Sequence, residues 1–449
     1  MAAPVFNSVE LADRGALRAL QERRLRSQLA YLDRNSQFYR RRFAEEAIAV
    51  DGIAGIADLS RIAFTTKQDL RDSLARVRPL GEHLAARLED VVQIQASSGT
   101  TGSPSYVGLT ERDVLSWQEM TARALFACGI RPGDLVLHTF SLAKGFVGGV
   151  PMFQAVQYLG AVDIPIGADG GVDRLLVAAR DLRPRCIIGT PNFLLYLAEI
   201  ARDAIGVDAA DLGVERLVVG GEPGGGIPAI REALEARWNA TCCELLGGTD
   251  LGCTYWAESD SKIGMHMVGA DHILAELIDP ATGAALDFAE GEQGELVYSA
   301  LDREASPVLR FRSGDHVVVT SAGGADGRPG PTIRCIGRTD DMLIVRGVNL
   351  FPSSVQEVVA AMPDTNGVVR LVADFEGHST QDNLKLLVER APGRTTQEDA
   401  ALKRAVEDRV RNTLAVKADV RIVPADFFAK PGVQKVALTL RAMPDLSEA

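Results

Sequence analysis

Apolar residues recur at helix-like intervals near the start of the chain. Leu17, Leu20, Leu25, Leu29 and Leu32 stand among many arginines, which predicts helix within residues 9–45. A second helical stretch begins at Lys67, with Thr66 placed to cap it. Beyond residue 90 the pattern alternates. Short β-branched or apolar runs at 91–94, 135–139, 161–166, 186–189 and 216–219 predict strands, and amphipathic stretches at 172–182 and 191–204 predict helices between them. Strand–helix alternation of this kind argues for an α/β architecture with a largely parallel sheet. From about residue 265 strand-like runs crowd together, with turns at Asp279-Pro280, Thr282-Gly283 and Gly323-Gly324, and predict a β-rich, more antiparallel section. The remainder reads as a smaller α+β unit: helix at 355–362, strands at 368–373 and 384–390, helix at 400–414, strand at 420–423. We place a boundary near Asp340, giving an N-terminal domain 1–339 and a C-terminal domain 340–449.

Composition narrows the class of protein. A chain of 449 residues suits two or three domains, and 46% hydrophobic with 24% charged residues supplies a large core. A net charge of -12 without a long basic run argues against nucleic acid as a partner. It leaves room for a small anionic substrate, because a few local donors suffice. Six cysteines without a CxxC pair suit reduced thiols in a cytoplasm rather than a disulfide framework. The start of the chain lacks a charged-then-apolar signal pattern, and no apolar run reaches the roughly 18 residues of a membrane span. A cytoplasmic protein is therefore expected, and a homodimer is compatible.

Several short segments carry chemistry. Ser97-Ser98-Gly99-Thr100-Thr101-Gly102 follows a strand-like run, and its small residues and hydroxyls suit a backbone wrapped around a polyphosphate. It is not a Walker A loop, since no Lys-Ser/Thr pair follows the glycines; by itself such a loop is an ordinary solvated turn. Asp315 can accept two hydrogen bonds from a cis-diol, and Arg338 suits a phosphate or ribose oxygen. Thr249-Asp250 can orient a phosphate beside Mg²⁺.

Their order along the chain resembles the adenylate-forming, acyl-CoA synthetase superfamily, and within it the phenylacetate-CoA ligase family. The resemblance rests on Phe38-Tyr39-Arg40-Arg41-Arg42-Phe43, Phe64-Thr65-Thr66-Lys67-Gln68-Asp69-Leu70-Arg71, the hydroxyl-rich loop, Gly220-Gly221-Glu222-Pro223, Gly248-Thr249-Asp250, Phe311-Arg312-Ser313-Gly314-Asp315, and Gly337-Arg338-Thr339-Asp340-Asp341-Met342 followed by Arg346-Gly347-Val348-Asn349. It implies a large N-terminal α/β domain with a β-rich end and a small mobile C-terminal lid turning about Asp340. It implies ATP-dependent activation of a small aromatic carboxylic acid through an acyl-adenylate, then transfer to coenzyme A. ATP, Mg²⁺ and coenzyme A are the implied cofactors. Ser97, Ser98, Gly99, Thr100, Thr101, Gly102, Gly221, Glu222, Pro223, Asp315 and Arg338 would bind ATP. Thr249 and Asp250 would be catalytic, with Asp250 on magnesium, and Phe140, Lys144, Phe146, Gly221 and Leu246 would line the acid pocket.

The chain also departs from the family. Leu246-Gly247 stands where a Tyr-Gly is usual, and Asp250 where a Glu is usual. Positions near Ser259 and at 327–331, which hold zinc-binding cysteines in many relatives, hold none here, and His266 alone makes no zinc site. The Gly-Lys pair expected near the end is replaced by Lys430-Pro431-Gly432-Val433-Gln434-Lys435-Val436, in which Lys430 is the better substitute. Two other readings follow: transfer of the adenylate to an acceptor other than coenzyme A, or a nucleotide- or acyl-binding protein that has lost catalysis.

Overall fold

A computed structural model describes residues 5–96, 105–324, 326–428 and 437–446. Asp13 caps the first long helix, Arg14–Asn35, by accepting from the amides of Gly15 and Ala16. That helix buries Leu25, Leu29 and Leu32 against Phe38, Tyr39 and Phe43 of the next helix, Gln37–Glu45. Leu17 and Leu20 stay partly exposed, so the buried face is narrower than the leucine spacing predicts. Thr66 and Asp69 form a reciprocal capping box at the start of the helix Lys67–Arg76.

Among the described residues the architecture centres on a sheet of twelve strands. One half is parallel: Val162–Ile164, Leu135–His138, Cys186–Gly189, Arg216–Val219 and Thr241–Gly248 lie side by side in that order. The helices Val172–Leu182, Pro191–Ile205 and Pro228–Trp238 connect or flank these strands, as the alternation predicts. The sheet turns antiparallel at Gly252–Ala257, earlier than the change of texture near residue 265. It continues without a break through Met265–Met267, Thr332–Arg338, Phe311–Ser321, Gln293–Ala300 and Ile273–Ile278. The β-rich section is thus an extension of the α/β sheet.

The expected strand at 91–94 is corrected to Gln93–Ala96, and it stands outside the large sheet. It pairs antiparallel with Tyr106–Leu109. The connection between them is too short for a parallel crossover, which needs a dozen or more residues.

Residues from Leu343 onward gather their own core, in which Val355, Val359, Leu371, Leu386, Val406 and Val410 are buried together. Around it stand the helices Pro352–Ala360 and Asp399–Leu414 and a sheet ordered Ala418–Val423, Leu384–Arg390, Thr365–Val372, Thr439–Leu440.

Candidate active site

The strands Thr241–Gly248 and Gly252–Ala257 form a hairpin, and Thr249 and Asp250 sit at its tip. Gly247 permits the close approach of its two arms: a Cβ there would lie 1.8 Å from the carbonyl oxygen of Cys253. Arg303 fixes the tip from behind. Its Nη1 donates to the carbonyls of Asp250 at 3.2 Å and Leu251 at 2.8 Å, and its guanidinium lies 4.7 Å from the Trp117 ring centroid. The tip faces a cavity of about 220 Å³, which is also walled by Asp315, Arg338 and Asp340.

The strand Phe311–Ser321 pairs Asp315 opposite Arg338. Gly314, just before Asp315, lies in the left-handed region, φ +80°, and a Cβ there would meet Arg338 Nη2 at 2.7 Å. The guanidinium therefore packs directly on this backbone. Its Nη1 donates to Asp315 Oδ1 at 2.8 Å, and its Nε and Nη2 donate to the two oxygens of Asp340 at 2.8 and 2.9 Å. One arginine thus ties a sheet carboxylate to Asp340, three residues before the separate core that begins at Leu343. Burial works against the Arg338 charge, but Asp315, Asp340 and Asp341 outweigh it and push its pKa up. Asp340 feels burial in the opposite sense, and Arg338 holds it below the usual carboxylate range.

Asp250 behaves differently. Burial raises its pKa, and Lys67, Arg303 and Arg338 only partly offset that. A buried carboxylate whose ionised form is penalised is a place where added positive charge is favoured. One such carboxylate suits Mg²⁺, which takes one or two protein carboxylates beside substrate phosphates. Among the described residues no group of three or more His, Cys, Asp or Glu is arranged to hold a metal by itself. Near the positions where the family resemblance implied zinc-binding cysteines, Ser259 donates to Asp326, and His266 Nε2 lies 3.7 Å from the same carboxylate.

The other end of the cavity is apolar. Phe140 and Phe146 approach with ring centroids 6.0 Å apart at 64°. Gly148 makes room for them, since a Cβ there would lie 2.4 Å from Phe146. Val147, Met152, Leu245 and Cys253 complete this end, and burial pushes the Cys253 thiol up to about 12, so it stays neutral. Gly221, at φ +83°, lies beside both phenyl rings. The loop bearing the rings is pinned by Asp169, which accepts from Ser141 Oγ at 2.6 Å and from the amides of Leu142 and Ala143.

The structure thus brings together Phe140, Phe146, Gly221, Thr249, Asp250, Asp315, Arg338 and Asp340. It corrects two of the expected pocket residues. Leu246 does not line the cavity; Leu245 does, because side chains alternate along a strand. Lys144 is exposed and stands outside the cavity wall, where its charge acts on Asp169. Glu222 is also turned away, accepting from the amide of Asn192 at 3.1 Å, and Pro223 is not at the wall. Ser97, Ser98, Gly99, Thr100, Thr101, Gly102 and Lys430 lie outside the described residues.

Sequence reasoning missed two cations. Lys67 and Arg71, one helical turn apart at the start of Lys67–Arg76, both line the cavity. Lys67 acts electrostatically on Asp250 and on Asp340. The available signal was their i,i+4 spacing directly after a capping threonine, which puts two cations on one face.

Comparison with known proteins follows the same division of the chain. Residues 24–300 match the family described as AMP-binding enzyme, and residues 347–434 match the AMP-binding enzyme C-terminal domain. The phenylacetate-coenzyme A ligase of Thermus thermophilus is 34% identical over 440 residues, covering 93% of this chain and 94% of that protein. That of Escherichia coli K12 is 32% identical over 420 residues, covering 93% of each. A crystal structure of 2-hydroxyisobutyryl-CoA ligase in the postadenylation state with R3-HIB-AMP superposes with a TM-score of 0.87 at 26% identity, covering 95% of this chain and 90% of that one. The same enzyme with 2-HIB-AMP and CoA in the thioesterification state superposes at 0.70, with 27% identity and coverage of 96% and 91%.

Proposed function

The chain belongs to the AMP-binding enzyme family, and from that premise we propose that it joins a small aromatic carboxylic acid to coenzyme A through an acyl-adenylate formed from ATP. The observation that carries this reading is the division of one cavity into an ionic end and an apolar end. In the first half-reaction the acid's carboxylate oxygen bonds to the α-phosphorus of ATP, and the bond to pyrophosphate breaks. In the second, the thiol of coenzyme A bonds to the acyl carbon and AMP leaves.

Each end of the cavity has a task in this scheme. Asp315 accepts the ribose hydroxyls, and Arg338 holds that carboxylate in place. Thr249 offers its hydroxyl to the phosphates. Asp250 would hold Mg²⁺, which when bound neutralises phosphate charge during transfer. Lys67 and Arg71 add fixed positive charge beside the phosphates, where preorganised cations stabilise the transition state without solvent reorganisation. The Gly-Lys pair usual in the C-terminal unit is absent from this sequence; Lys430 remains the candidate substitute from that unit, and Lys67 is a second cation, on the cavity wall, that can serve adenylation. Phe140 and Phe146 accept the flat apolar part of the acid. With no ionised side chain among the described residues at that end, a second charge on the acid would be left unpaired there, so a dicarboxylate is disfavoured.

We take residues 340–449 as a lid with Asp340 at its hinge. The better superposition on the postadenylation state than on the thioesterification state supports a lid standing in its first position. The deciding experiment is pyrophosphate release over a panel of carboxylic acids, with and without coenzyme A. Aryl acids should release pyrophosphate, and an acyl thioester should form only with coenzyme A present. Pyrophosphate release without any thioester would point to another acceptor; no release from any acid would defeat the enzyme reading.

A further inference from the structure

The hairpin that carries Thr249 and Asp250 at its tip has an unusual contact at its open base. Cys242 and Cys243 are adjacent on the strand Thr241–Gly248, and both are fully buried. Lys262 lies in the turn that follows the strand Gly252–Ala257, with a left-handed backbone, φ +55°. A non-glycine residue in that region is strained and persists where its surroundings demand it. Here the surroundings are explicit: Lys262 Nζ donates to the carbonyl of Cys242 and stands 2.9 Å from Cys243 Sγ. That separation is inside the van der Waals sum of nitrogen and sulfur. Cys128 adds a second thiol to the group, and Cys243 Sγ lies 3.7 Å from its carbonyl oxygen. Cys128 first, and Lys262 next among the favourable contacts, outweigh burial and hold the Cys243 thiol below its usual pKa, which favours the thiolate.

We infer that Cys243 and Lys262 form an oxidative cross-link, joined through one oxygen atom between Sγ and Nζ, with dioxygen as the oxidant. One thiol, one amine and one O₂ give the S–O–N bridge and one water. The S–H, one N–H and the O–O bonds break; the S–O and O–N bonds form. Dioxygen takes up the electrons, two from sulfur and two from nitrogen. Two equivalents of a dithiol reductant, each oxidised to its disulfide, reverse the reaction and return the thiol, the amine and a second water. Dioxygen is small and apolar enough to reach a buried thiol inside a hydrophobic core, where charged or bulky oxidants do not go. The bridge staples the base of the hairpin whose tip walls the cavity, so it stiffens that support without touching the cavity itself.

The test uses the full chain, held in oxygen-saturated buffer and compared with an anaerobic sample. Intact mass should rise by one oxygen less two hydrogens. Cleavage after Glu244 and Glu258 places Cys243 and Lys262 on different peptides, which should emerge as one linked pair. Trypsin should no longer cut after Lys262, and dithiothreitol should reverse all three changes. Cys243→Ser and Lys262→Arg, both conservative, should each abolish the linked pair. Failure to find it after oxygen exposure overturns the inference. So does a Cys128–Cys243 disulfide, lighter by two hydrogens, or an oxygen gain that persists in Lys262→Arg.

Discussion

Replacing Asp315 by alanine isolates the proposed ribose contact from the rest of the ionic cluster. Its carboxylate is mostly buried, with 16% of the side chain exposed, and accepts from Arg338 at 2.8 Å. Arg338 keeps its two bonds to Asp340 when Asp315 is gone, so the guanidinium remains paired and the fold should tolerate the change. What is lost is a charged acceptor for two hydroxyls. Hydrogen bonds to a charged group contribute about 1.5–3 kcal/mol, which corresponds to a loss of roughly ten- to hundredfold in affinity. Calorimetry with AMP and with 2′-deoxy-AMP makes the test specific. The parent protein should bind AMP more tightly than the deoxynucleotide, whereas Asp315→Ala should bind both equally weakly. Asp315→Asn, which keeps one acceptor oxygen without the charge, should fall between. If Asp315→Ala retains the parent's affinity for AMP, or still distinguishes the two nucleotides, the ribose is held elsewhere and the placement is wrong.

Lys67→Met should slow pyrophosphate release, by about 3 kcal/mol if its loss resembles removal of an oxyanion donor, while thiol transfer from preformed adenylate changes less; equal losses in both assays would count against it. Gly148→Ala pushes a methyl group into Phe146 and should raise KM for aryl acids with little change in the KM for ATP, measured by steady-state kinetics over several acids. Asp340→Pro should trap the lid and spare one half-reaction more than the other; a folded variant that loses both to the same extent would speak against the hinge. His272 gives a stability prediction with a definite sign. Burial disfavours its charge, but Asp302 at 3.0 Å, Glu119 and Asp271 raise its pKa from 6.5 to about 9. The charged form is therefore favoured by folding, so the stabilisation is fully present below about pH 6.5 and is lost as pH rises through about 9, amounting to about 3 kcal/mol. Urea unfolding from pH 6 to 10 should show this fall in the parent and a flatter profile in His272→Gln.

The local elements were legible in the sequence because their causes are local. Helix Val172–Leu182 and strand Cys186–Gly189 follow from periodicity within a few residues, and the Thr66 cap from one hydroxyl three positions before Asp69. The candidate residues were legible in the same way, since Asp315, Arg338 and Thr249-Asp250 lie in short segments whose residue types suit a nucleotide, and the structure places all four on one cavity wall. Which residues share the cavity was a different question. Lys67 reaches Asp250 and Asp340 across long stretches of chain, and nothing in the immediate neighbourhood of any of them encodes that meeting. Leu245 rather than Leu246 faces the cavity because a strand's side chains alternate, and only its pairing in the sheet decides which of two neighbouring leucines points inward. The same holds for the strand at 93–96, whose partner is set by a short connection rather than by its composition. Sequence by itself determined the elements and the donors they carry, because propensity, capping and residue chemistry act over a few positions. Tertiary structure alone decided the register, the continuity of the sheet and the company each charged group keeps, because those depend on contacts between segments far apart along the chain.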